Sequence, residues 1–324
     1  MELEIIPFSE VEAVIDEARA NWQETDKFNT HAHSHSEIAA LVPETEILKH
    51  TKPTLYTGLY RHWISLIMDI QGSTDWHVIQ LPRFLAREIT ETYMVWCARG
   101  ELNKAAVQDL LNQFPKQTIA GAPVESIFTG KEWFLRLDFC STKDGEGGSA
   151  PIQTLEDVIR ALCTSGRGTR ALLDELEDDH AHKPMIFLVP YNRAMDPHRE
   201  CRVFCPPPNG DISCISQYRW TSPFGVNALE ELEQTASHIL QGAKEMHVRI
   251  MKHAKALEDD SILKALQQEG FTFDVVLGPT GQILLVEINP FGALSGCGSC
   301  LYHWLKDARV LYGQNDKVRV RMAT

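Results

Sequence analysis

No run of apolar residues in this 324-residue sequence approaches the roughly 20 that a helix needs to cross a bilayer. Internal repeats and low-complexity tracts are missing too, so neither a solenoid nor a linker-rich chain is expected. Positive charge is in deficit: 31 Lys and Arg face 44 Asp and Glu, a formal net charge of −13. That excludes a general phosphate-backbone binder, which relies on a dense basic surface, but leaves room for a small basic pocket. The opening stretch, MELEIIPFSEVEAVIDEARA, carries acids where a secretory signal has a basic and then an apolar segment. Eight cysteines scattered through so long a chain form no small stapled framework, which points to a reducing compartment. The glycines lack the spacing of a P-loop or a dinucleotide fingerprint. What is there is ordinary: 44% hydrophobic and 23% charged residues, as in a globular protein large enough for two domains. A cytoplasmic location is expected.

The most informative stretch is FTFDVVLGPTGQILLVEINPFG, two apolar runs around Gly278, Pro279, Thr280 and Gly281. It reads as a β-hairpin. Residues two apart share a strand face, so Glu287 and Asn289 point the same way. A symmetric turn sets Leu277 opposite Gln282 and Asp274 opposite Leu285, which adds Asp274 to that face. Ile288, Val286 and Leu284 then fill the other face. Two carboxylates and an amide oxygen within an apolar sheet call for compensation, and Mg²⁺ with its oxygen ligands would supply it. The alternative is a solvated face on which Asn289 and Pro290 simply begin a turn.

Residues 1–125 read as mainly helical, with amphipathic stretches at Val11–Trp22, Ile64–Ile70, Leu85–Arg99 and Ala105–Phe114. His31, His33 and His35 interrupt them and read as a polar loop in preference to a zinc site. Near residue 126 the pattern changes. KEWFLRLDF is a strand leading into a polar segment with glycines at 145, 147 and 148, either a phosphate-approaching loop or a flexible turn. Pro151–Leu176 is helical with a break at Gly166 and Gly168, and Met185–Val189 is a strand ended by Pro190. RECRVFCPPPNGDISCISQYRW is a second pair of strands, with Arg202 and Phe204 on one face. Leu229–Leu257 carries a core stripe of Leu232, Ile239, Met246, Ile250 and Ala254. Ser261 is the expected cap of the next helix, and Cys297 and Cys300 read as small packing residues.

The central and C-terminal segments resemble the cell division cycle protein 123 family, an ATP-grasp-like family. FLRLDFCSTKDG resembles its basic strand and Lys-Asp segment, MIFLVPYNR its adenine-contacting hinge, ECRVF its arginine motif, ISQYRW its Ile-Ser-Gln segment, and FDVVL with VEINPFG its terminal acidic pair. The match is collinear from about 126 to 306, and only loose before that, through IQLPRFL. Arg136 stands where the family has a lysine, and Glu287 where it usually has an aspartate.

The resemblance implies an α+β, ATP-grasp-like fold, two lobes clasping a nucleotide, with the mainly helical part (1–125) in front of a nucleotide-binding region (126–324). It implies ATP and Mg²⁺ as cofactors. Arg136, Lys143, Asp144, Leu188, Val189, Pro190, Tyr191 and Arg202 would then face the nucleotide, and Asp274, Glu287 and Asn289 the metal. The implied role is an assembly chaperone for translation initiation factor two, through its gamma subunit. A carboxylate–amine ligase, with His198, Arg199 and Arg219 near a second substrate, and a nucleotide-free scaffold are the other readings.

Overall fold

The computed structural model describes residues 1–21, 25–31, 33–42, 50, 52–177, 183–225 and 228–324. The first segment holds strand β1 (Glu2–Ile6) and helices α1 (Phe8–Asn21), α2 (His35–Leu41) and α3 (Tyr60–Ile70). Trp22, at the expected end of α1, lies outside the described residues. α2 begins in the histidine-bearing stretch because Ser34 and Glu37 close a reciprocal capping box.

Next come β2 (His77–Gln80), α4 (Arg83–Arg99), α5 (Lys104–Gln113), α6 (Val124–Ile127) and β3 (Trp133–Leu137). α7 (Leu155–Thr164), α8 (Gly166–Glu177) and β4 (Met185–Pro190) follow. Gly100 in the left-handed region ends α4, Asn103 caps α5, and Thr154 with Asp157 caps α7. The last segment contains β5 (Glu200–Cys205), β6 (Cys214–Gln217), α9 (Leu229–Ala256), α10 (Asp260–Gln268), β7 (Phe271–Leu277), β8 (Ile283–Pro290), α11 (Ala308–Leu311) and β9 (Arg319–Ala323). The cap of α10 is Asp259, whose carboxylate accepts the Ser261 N–H at 2.9 Å; Ser261 already lies inside the helix.

The chain divides into two compact units, residues 1–71 with 193–324, and residues 72–192. The expected boundary at 125/126 falls inside the second unit. That unit closes around the antiparallel sheet β2-β4-β3, and α4, α5, α7 and α8 bury Leu85, Ile89, Leu110, Leu162 and Leu172 with Leu135 and Ile186. Composition shifts at residue 126, but packing does not, because β2 pairs with β4 and so binds residues on both sides of 126 into one core.

The first unit is built on a six-stranded sheet ordered β1-β9-β6-β5-β7-β8. β9 runs parallel to both β1 and β6, and the other pairs are antiparallel. α9 buries the expected stripe of Leu232, Ile239, Met246, Ile250 and Ala254. Gly242 lets α9 approach the sheet, since a Cβ there would lie 2.3 Å from the Ile283 side chain.

The β7–β8 register differs from the symmetric turn. Leu277 faces Ile283 and Val275 faces Leu285, one residue beyond the expected pairing. That shift alone would turn Asp274 away from Glu287. A β-bulge between Asp274 and Val275 skips Val286 and sets Asp274 directly opposite Glu287. Leu284, paired with Val276, therefore shares the face of Asp274, contrary to the expectation that it lies opposite; Ile288, paired with Phe273, does fall on the other face.

Candidate functional site

Cross-strand neighbours share a sheet face, and the register aligns one residue from each of the six strands. Glu4 faces Arg321, Arg321 faces Ser216, Ser216 faces Arg202, Arg202 faces Asp274, and Asp274 faces Glu287. A polar row thus crosses the whole sheet. The loop after β8 lies along it: the Leu301 N–H donates to Ser216 Oγ at 3.0 Å, the Gly298 carbonyl accepts from Arg202 at 2.9 Å, and the Leu301 carbonyl accepts from Arg321 at 2.9 Å.

At one end, Arg202 Nε and Nη2 donate to the two oxygens of Asp274 at 2.8 and 2.7 Å. Both side chains are buried, at 5% and 0% exposure, so the charges are not screened by water. Glu287 Oε1 lies 3.8 Å from Arg202 Nη2 and accepts from the Asn289 amide at 3.1 Å. The Arg202 head sits over the Tyr218 ring, 5.0 Å from its centre. Burial pushes the Asp274 carboxyl up to about 6; Arg202 opposes that shift and Glu287 adds to it. Burial works against the Arg202 charge as well, but Asp274 more than offsets it and holds the guanidinium well above its usual range.

Arg202, Asp274, Glu287 and Asn289 are thus brought together in the first unit. Arg136, Lys143, Asp144, Leu188, Val189, Pro190 and Tyr191 belong to the second. Arg136 is buried on β3 opposite Phe187, whereas Lys143 is exposed. The Asp144 carboxylate accepts from Ser165 Oγ at 2.5 Å and from the Arg167 N–H at 3.0 Å, holding the start of α8. Partial burial would raise its pKa, but these two donors, together with its own backbone N–H and the Arg167 charge, outweigh it and lower the value. The glycine-containing segment is committed locally. The Gly145 N–H donates to Thr142, the Glu146 N–H to Thr164 and the Gly148 N–H to Gly145. A Cβ on Gly145 would meet the Ala161 carbonyl at 2.6 Å. Close packing, not an open phosphate loop, accounts for that glycine.

Leu188 is paired on both edges, to His77 and Leu135, while β2 ends there and leaves Val189 and Pro190 paired only to β3. A cleft of about 810 Å³ opens beside Pro190 and Tyr191, lined also by Asp75, Lys131, Trp133 and Gln153. His198 and Arg219 are both exposed, with His198 Nδ1 3.1 Å from Ser222 Oγ. Cys297 and Cys300 are free thiols; burial raises both, Cys300 to about 12.

Among the described residues, no group of three or more His, Cys, Asp or Glu could hold a metal ion. The candidate set is smaller in that count, two carboxylates and the Asn289 amide. Its oxygen chemistry suits a hard cation. Both Asp274 oxygens, however, are engaged by Arg202. Tyr218 was within reach of sequence reasoning, since it lies two residues beyond Ser216 in ISQYRW. The Gly298 carbonyl and Arg321 left no comparable signal.

His303 was also not foreseen. Its Nδ1 accepts from the Leu305 and Lys306 N–H groups at 3.1 and 3.2 Å, and its ring lies 5.3 Å from that of His33. Burial first, then the charges of Lys306 and His33, lowers its pKa to about 4. The unfolded chain, with an ordinary value near 6.5, takes up the proton first as pH falls. Stability is therefore present above pH 6.5 and lost as pH falls through about 4. Between pH 7 and 5 this histidine should remove about 2 kcal/mol. Thermal unfolding of the protein and of His303→Asn across that range checks it; equal slopes would refute the assignment.

The architecture is α+β. More particularly, it is the fold of Cdc123. The structure of C-terminally truncated Cdc123 from Schizosaccharomyces pombe matches with TM-score 0.54 and 17% identity, over 83% of this chain and 96% of that one. Another structure of Cdc123 from the same organism matches with TM-score 0.52 and 16% identity over the same shares. No protein-family model matches the sequence, and no curated protein matches it significantly. No helix among the described residues is long and apolar enough to cross a membrane.

Proposed function

We propose that this protein binds ATP with Mg²⁺ and acts in the cytoplasm as an assembly chaperone for translation initiation factor two, through the gamma subunit. The observation that carries the reading is the cluster formed by Arg202 on β5 with Asp274, Glu287 and Asn289 on the β7–β8 hairpin of a Cdc123-like fold. In this reading Arg202, Arg136 and Lys143 meet the phosphates and Asp144 stands beside them. The backbone of Leu188, Val189, Pro190 and Tyr191 meets the adenine. Glu287, Asn289 and Asp274 hold the metal, which supplies neutralisation of phosphate charge when bound. Residues 1–125 are proposed to offer the partner-binding surface.

Calorimetry of ATP with and without Mg²⁺ is the direct test. Arg202→Ala should weaken ATP binding about 10- to 100-fold, as expected for a lost charged hydrogen bond, and adenosine binding much less. Equal losses would remove Arg202 from the phosphate site. Mg²⁺-dependent binding without turnover, together with capture of the gamma subunit, supports the chaperone reading. ADP release stimulated by an added amino acid would move the protein to the carboxylate–amine ligases, and absence of nucleotide binding would leave a scaffold.

A further inference from the structure

Asp274 and Glu287 form the part of the polar row most suited to a cation, and an internal cation is already there. Arg202 uses Nε and Nη2 on the two oxygens of Asp274, at 2.8 and 2.7 Å, and its Nη2 is 3.8 Å from Glu287. Its remaining nitrogen, Nη1, donates to the Gly298 carbonyl at 2.9 Å. We infer that Arg202 is a resident counter-ion, displaced from Asp274 only when a polyphosphate draws the guanidinium away, so that a divalent metal and a nucleotide enter this site as a coupled pair. The inference rests on the proposed reading of Asp274, Glu287 and Asn289 as metal donors.

The charge balance carries the argument. Asp274, Glu287 and Arg202 together amount to a single negative charge. Adding a dication with Arg202 in place would turn the buried cluster positive and set two cations against each other where water screens little. Only Glu287 and Asn289 would remain as donors, too few for a tight octahedral site. A triphosphate changes both terms at once. Its oxygens offer the guanidinium another two-point acceptor, and they complete the ligand set of the metal. Tyr218 lies under the guanidinium and provides a face over which it can turn without losing its aromatic contact. The coupling is reciprocal: whatever factor the nucleotide adds to metal affinity, the metal adds to nucleotide affinity.

The test uses the full chain without nucleotide and Mn²⁺ as the metal probe, with free Mn²⁺ counted by electron paramagnetic resonance. Arg202→Met should bind Mn²⁺ at least about tenfold more tightly than the unmodified protein, a coupling of ordinary size. Equal or weaker binding overturns the inference. Should Arg202→Met fail to fold, the unmodified protein still decides the matter through the Arg202 Nε–H resonance, assigned by its loss in Arg202→Lys. Millimolar Mg²⁺ alone should leave that resonance in place, and Mg²⁺ with a non-hydrolysable ATP analogue should shift it. A full shift with Mg²⁺ alone overturns the inference. Failure of the underlying reading looks different: Mn²⁺ binding to Arg202→Met would then survive Glu287→Gln with Asn289→Ala.

Discussion

Asp274→Ala is expected to lower the free energy of unfolding by about 3–5 kcal/mol, the usual cost of stripping one partner from a buried ion pair. Arg202 is 5% exposed, so in the absence of a ligand its charge would be left with little hydration in place of its partner. Two charge-assisted hydrogen bonds vanish together, and the guanidinium keeps the Gly298 carbonyl, the Tyr218 face and a looser approach to Glu287. Urea denaturation measures the loss. The discriminating result comes from the double variant Asp274→Ala with Arg202→Met, which removes both charges. It should be less destabilised than the sum of the single changes by at least about 2 kcal/mol. Additive losses would mean that the two side chains act through packing and not as a pair.

Arg321→Met, at the other end of the row, should cost about 3 kcal/mol. Arg321 donates to both oxygens of Glu4 at 3.0 and 3.1 Å, to those of Asp307 at 3.1 and 3.3 Å, and to the Leu301 carbonyl. It also lies over the Tyr302 ring at 4.0 Å. Glu4 and Asp307 are partly solvated and can rehydrate, which keeps the loss below that at Asp274. For a unit of about 200 residues this corresponds to a fall of roughly 6–12 °C in Tm. Arg321→Lys should recover little of it, because a single ammonium cannot span Glu4, Asp307 and a carbonyl at once. Full recovery by lysine would show that charge alone matters there.

The parts of this fold that could be read from sequence are those encoded by local period. α4, α5 and α9 show 3.6-residue stripes, and the interruption at Gly166 does separate α7 from α8. β4 ends at Pro190 as expected, and Arg202 does lie on a strand joined to the terminal hairpin. The facing of Asp274, Glu287 and Asn289 was anticipated through a register that the structure does not have. Turn composition does not report a bulge, and the bulge is what restores the facing after a one-residue shift. β1, read as part of a helical region, is a strand because β9 pairs with it from more than 300 residues away. Glu4 and Arg321 are similarly invisible as partners, since no local window contains both. Domain limits suffered from the same cause: 126 marks a change in composition, whereas chain contacts divide at 71/72 and 192/193.

The position of β9 between β1 and β6 also sets an order of manufacture. Residues 72–192 are contiguous and can close their own sheet while synthesis continues. β1 is made long before β9, its partner in the sheet, which lies more than 300 residues further along the chain. At about 5–20 residues per second, that strand waits roughly 15–60 s for its neighbour. During that interval its hydrogen-bonding edge is open and Glu4 lacks Arg321. A ribosome that stalls before Arg319 would therefore hold a finished second unit attached to an unclosed sheet, the state in which strand-edge mispairing and attention from general chaperones are greatest.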